Sequence, residues 1–179
     1  MVRDMDTNAR LGSGEWMVVE ADEYDRSFLK LTPSLAVITI VEAEHLDTYE
    51  NIENLRDAFA TFANSVPFYG RVILCIDDPE LQQLRERIER PVRTYGFSEA
   101  AQVRGVNVDL GLTSRCTVEV DGKEVAKLEL PLAGRHNLSN ALAAFAVGLE
   151  LAIPVETMVS ALREFRGVRR RFDLRGEAD

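Results

Sequence analysis

The sequence has no lysine where a phosphate-cradling loop would need one. Only three lysines occur. Lys30 follows Leu29, Lys127 follows Ala126, and Lys123 lies in "DGKE", so none closes a G-x-x-x-x-G-K-[ST] pattern. Cysteine is nearly as scarce. Cys75 and Cys116 stand far apart with no C-x-x-C pair. That excludes a zinc or dithiol motif and predicts two small strand or core residues in a reducing compartment. No apolar run is long enough to span a bilayer. The opening "MVRDMDTNARLGSGEW" has no apolar centre of the kind a secretory leader requires. These absences predict a cytoplasmic protein without a membrane partner. Positive charge is also short. A formal net charge of −9 argues against nucleic-acid binding and against docking on an anionic bilayer. A nucleotide remains open, since it needs only a local cluster of donors.

What is present suffices for one domain with a single core. The chain has 179 residues, and its 46% hydrophobic and 28% charged content is that of an ordinary globular protein. Residues 1–14 are polar and Gly/Ser-punctuated, which predicts a tail or loop. "EWMVVEAD" is a short apolar run closing on acids and predicts a buried strand. "SLAVITIVEAEH" repeats that pattern. "IENLRDAFATFANSV" places Ile52, Leu55, Ala58, Phe59 and Phe62 at helical spacing. "RVILCIDD" predicts a further buried strand. Asp78 and Pro79 then suit a helix cap and first turn, and "VRTYGF" predicts a short strand. Alternating strands and helices with continuously apolar strands argue for a parallel sheet covered on both faces. Ligands on such sheets lie beyond the strands' carboxyl ends, where Glu20, Asp22, Glu23, Asp25, His45, Asp47, Asp77 and Asp78 fall. "TVEVDGKEVAKLEL" alternates with period two around Asp121-Gly122, a hairpin signal. It predicts an antiparallel unit over roughly residues 101–132, apart from the main sheet.

Four constellations can carry chemistry. "GRHNLSNALAAF" sets His136, Asn137 and Asn140 at the mouth of an apolar helix. Asn137 suits a helix N-cap, and Asn140 lies one turn further on the same face. An amide also offers the donor and acceptor that the N6/N7 edge of adenine requires. Capping accounts for one asparagine, adenine reading for both. "EADEYD" gathers four carboxylates, which is either a solvated acidic loop or a place where a divalent cation relieves their repulsion. "EAEHLD" brings His45 to the end of the next predicted strand, where it would meet Glu20 if the two strands are neighbours. "GVRRRF" is either a solvated face or a set of forks matching phosphate oxygens.

Taken in order, four stretches resemble the central ATPase domain of the Mur ligase family. They are "NARLGSGEWMVVEADEYDRSFL", "EHLDTYENIENLRDAFATFANSVPFYGRVILCIDDPEL", "GRHNLSNALAAFAV" and "RRRFD". The resemblance runs from about Asn8 to Glu177. It implies an α/β fold: a mostly parallel sheet with helices on both faces, like a P-loop NTPase without its P-loop, plus a small antiparallel sheet. It implies a central domain over 15–172, with the antiparallel insert at 101–132 and the start of a linker to a C-terminal domain at 173–179. The implied chemistry is ATP-dependent amide-bond formation through an acyl phosphate. Glu20 and His45 match metal-site and catalytic residues. Asn137 and Asn140, with His136 beside them, match the adenine contacts, and Arg171 matches a phosphate contact. ATP and Mg2+ are the implied cofactors. "EADEYDRSFL" and "VPFYGR" fit the alanine-adding branch, whose substrates are UDP-N-acetylmuramate and L-alanine. That branch also lacks a helix lysine, as "IENLRDAFATFANSV" does. A murein-peptide ligase of the same family, and a stand-alone nucleotide-binding or interaction module without catalysis, are the alternatives. The family's P-loop is expected before Met1 and its C-terminal domain after Asp179, so the chain is expected to be inactive by itself. Two residues depart from the family pattern: Glu44 stands where aspartate is usual, and Ile40 where asparagine is.

Overall fold

The computed structural model describes residues 9–42 and 46–167. Six strands form one sheet in the order of the chain: β1 (Leu35–Ile38), β2 (Arg71–Cys75), β3 (Val92–Gly96), β4 (Val103–Asp109), β5 (Ser114–Val120) and β6 (Lys123–Leu130). The pairings β1–β2, β2–β3 and β3–β4 are parallel, and β4–β5 and β5–β6 antiparallel. The helices are α1 (Leu46–Tyr49), α2 (Ile52–Asn64), α3 (Pro79–Arg85), α4 (Arg135–Glu150) and α5 (Val155–Glu164).

β2 shows why the parallel half is a core. Val72, Ile73 and Leu74 are fully buried although they alternate between the two faces, so both faces must be covered. The register sets Val37 beside Ile73 and Ile73 beside Arg93. Glu150, at the end of α4, pairs with both Arg71 and Arg93, which places α4 on that face. Right-handed crossovers between sequential parallel strands put α2 and α3 on the other. Their Leu55, Phe62, Ala63, Leu81 and Leu84 join the same core cluster. Side chains cap two helices, and at α3 the cap is the expected one. The Asp78 carboxylate accepts from Leu81 N at 2.9 Å and caps α3, and Asn51 caps α2.

Three expectations are corrected. "EWMVVEAD" is no strand: residues 16–23 carry no regular structure, and Met17 and Val18 are 85% and 96% exposed. A strand needs a hydrogen-bonded neighbour, and no described strand lies against this run. The antiparallel unit is not apart from the main sheet, because β4 pairs with β3 and carries β5 and β6 as its continuation. Within it the hairpin tip is as expected, with positive φ at Asp121 (49°) and Gly122 (79°). Finally, α4 is capped by Gly134 with no side-chain bond, so Asn137 is its third residue and not its cap.

Candidate functional site

Every parallel strand ends at one lip of the sheet, and the first turn of α4 starts there. Asn137 is half-buried, and His136 and Asn140 are exposed. The Asn137 amide donates to the Ala133 carbonyl at 2.8 Å, which folds the preceding loop back on the helix. That spends one N–H. Its other N–H and its oxygen remain for a ligand, the donor–acceptor pair an adenine edge requires.

Asn140 opens onto a groove of about 380 Å³ between α4 and β1, lined by Val37, Thr39, Asn140, Ala143, Ala144 and Val147. The volume is that of a small ligand site. The helical lining falls at i, i+3, i+4 and i+7, so it is one stripe, and Asn137 heads it. The alanines keep the groove wide, and the Asn140 amide stands on its wall. Sequence reasoning found the asparagines and missed Thr39 and the two alanines. The signal was available in "NALAA", where small residues follow Asn140 by one turn.

The acidic loop behaves differently from the expectation. Asp22 accepts from Tyr24 N and Asp25 from Ser27 N, both at 2.9 Å, so these carboxylates fold their own loop. The Ser27 hydroxyl and amide hold the Asp25 carboxyl below its ordinary range. Glu20 is exposed and accepts no hydrogen bond from the described residues. It does not end a strand, contrary to expectation. The loop is nevertheless tied to α1. The Tyr49 hydroxyl donates to the Glu23 carbonyl, Arg26 donates to the Thr48 carbonyl at 2.5 Å, and its guanidinium lies 4.8 Å from the Tyr49 ring. His45 and Arg171, like Glu44, lie outside the described residues.

Among the described residues no three His, Cys, Asp or Glu side chains gather to hold a metal ion. Magnesium asks for less: one or two carboxylates, with waters and nucleotide oxygens completing its shell. A carboxylate not committed to the protein, as Glu20 is, fits that role. Among the described residues no helix is long and apolar enough to cross a membrane.

The sequence pattern of the Mur ligase middle domain matches residues 3–148. This chain belongs to the Mur ligase family. Three proteins named UDP-N-acetylmuramate–L-alanine ligase are similar to it along nearly its whole length. The one from Salinibacter ruber is 52% identical over 96% of the chain, that from Chlorobium phaeobacteroides 51% over 96%, and that from Myxococcus xanthus 47% over 99%. The chain spans 36%, 37% and 38% of their respective lengths. Among solved structures, the UDP-N-acetylmuramate–alanine ligase MurC of Thermotoga maritima superposes with a TM-score of 0.74 at 27% identity, over 88% of this chain and 35% of that one. A Neisseria ligase, UDP-N-acetylmuramate:L-alanyl-γ-D-glutamyl-meso-diaminopimelate ligase, gives 0.74 at 26% identity, over 84% and 48%. A MurF of Acinetobacter baumannii, with a TM-score of 0.75 at 22% identity over 87% and 34%, shares the fold. The Mur ligase middle domain thus accounts for the mixed sheet and for the lip at which α4 begins.

Proposed function

We propose that this chain is the nucleotide-handling middle domain of a cytoplasmic ligase that joins L-alanine to UDP-N-acetylmuramate. The observation that carries the reading is the stripe of Asn137, Asn140 and two alanines opening at the strand lip, in a chain about half identical to alanine-adding ligases. In the reaction the muramate carboxylate attacks the γ-phosphorus of ATP and ADP leaves. The L-alanine amine then attacks the acyl carbon, losing a proton as inorganic phosphate leaves. Asn137 and Asn140 read the adenine edge, and His136 lies beside the base. Arg171 contacts phosphate. Glu20 and His45 hold the metal and are the catalytic pair of this domain. Magnesium, when bound, screens the phosphate charges that the incoming carboxylate must approach. The domain bounds that follow are 15–172, with residues 173–179 leading into the next domain. The closing partners, including the phosphate cradle, belong to the rest of the ligase.

Amine choice tests the reading against its murein-peptide alternative. The full-length protein, given Mg-ATP and UDP-N-acetylmuramate, is expected to form product with L-alanine and none with L-alanyl-γ-D-glutamyl-diaminopimelate. Product from the tripeptide alone would transfer the chain to the other branch. ATP binding with no product from either amine would favour a non-catalytic module.

A further inference from the structure

We infer that Arg135, stacked on Phe97, is a positioning residue that sets the two adenine-reading amides, an inference that rests on the nucleotide reading above. α4 begins without a side-chain cap. Its first turn is therefore held by other contacts. One is the Asn137–Ala133 bond. A second is Arg135, the first helical residue, whose guanidinium lies 4.0 Å from the centre of the Phe97 ring.

Phe97 is itself fixed. Its backbone N–H donates to both oxygens of Asp77, at 2.9 and 2.8 Å, and the next N–H, of Ser98, donates to the same carboxylate at 2.8 Å. The turn passes so close to Asp77 that a Cβ on Gly96 would lie 2.6 Å from a carboxylate oxygen, and Gly96 holds a φ of +149°. The ring fills the space left by Gly105, where a Cβ would come within 3.0 Å of both Phe97 and Leu142. A line of fixed contacts thus runs from the end of β2, through the β3–β4 turn, to the start of α4.

The helix turns by roughly 100° per residue. Arg135 shares its stripe with the fully buried Leu138 and Leu142, while Asn137 and Asn140 lie on the groove stripe, well round the helix from it. Arg135 accordingly holds the helix from the side away from the ligand. Without it the first turn can roll, and the amides lose their common direction. A guanidinium plane stacks where an ammonium cannot match it, so Arg135→Lys does not restore the contact, whereas Phe97→Tyr keeps it.

The test compares affinities of the full-length ligase for Mg-ATP and for Mg-tripolyphosphate, which lacks the base. Arg135→Ala is expected to weaken ATP roughly two- to fivefold, the scale of one exposed cation–π contact. Tripolyphosphate affinity should stay unchanged and the melting temperature within about 2 °C. Phe97→Tyr should match the wild type, and Arg135→Lys should resemble Arg135→Ala. Unchanged ATP affinity in Arg135→Ala overturns the inference. So does an equal loss for both ligands, which would mark Arg135 as a phosphate contact or a general structural support. Asn140→Ala separates this inference from its foundation. If that variant loses ATP and Arg135→Ala does not, only the positioning role fails. If Asn140→Ala binds ATP normally, the adenine reading fails and takes the inference with it.

Discussion

Cys75 and Cys116 are buried and free. Burial pushes the Cys116 thiol up to about 11 from an ordinary value of 9.0. A raised folded pKa means the native state favours the protonated thiol. Its stability contribution is therefore complete below about pH 9 and declines between pH 9 and 11, by roughly 1.4 kcal/mol per pH unit at most. The buried Tyr95 phenol is raised by the same desolvation and adds to the alkaline loss. Melting temperatures at pH 8 and pH 10.5 should therefore differ more in the wild type than in Cys116→Ala, although the variant starts lower. Equal slopes in both would contradict the burial argument. The asparagines were legible as a pair because two amides one turn apart are more than a cap requires. Their division of labour was not. That Asn137 bonds back to Ala133 depends on where Gly134 turns the chain, with a φ of 100° that sequence does not display.

At the scale of elements, α2, β2, the Asp78-capped α3 and the Asp121-Gly122 hairpin were all readable, each from a period or a turn residue that works locally. The run "EWMVVEAD" was not. Its apolar content matches a buried strand, but burial and pairing come from neighbours, and β1 meets only β2 in the described sheet. The antiparallel unit was misplaced for the same reason. Alternation shows that β5 and β6 form a hairpin, and says nothing of β4 joining β3. α4 carries the heaviest duty, because one stripe packs on the sheet and another lines the groove. Leu142 on the packing stripe is fully buried in the main cluster. Leu142→Ala is expected to cost about 2–5 kcal/mol in denaturant unfolding, the range for emptying a core leucine site. It should also loosen Phe97, which shares the space over Gly105 with it. A loss under 1 kcal/mol would mean that α4 is not anchored through this stripe.

Across the whole molecule, a mixed sheet brings three distant stretches to one lip: the acidic loop with α1, the β3–β4 turn, and the head of α4. The arrangement offers the amides of Asn137 and Asn140 on α4 and the exposed carboxylate of Glu20 in the acidic loop. The chain spans about 37% of the length of its relative from Chlorobium phaeobacteroides. Under the proposed function, the full-length protein activates the muramate carboxylate with ATP. Oxygen transfer reports that step directly. UDP-N-acetylmuramate labelled with ¹⁸O in its carboxylate is incubated with the full-length protein, Mg-ATP and L-alanine, and the released phosphate is analysed by mass spectrometry. Attack of the carboxylate on the γ-phosphorus leaves one carboxylate oxygen on phosphate when the amine displaces it. One ¹⁸O is expected in the phosphate for each amide formed. Amide formation with unlabelled phosphate would rule out the acyl phosphate.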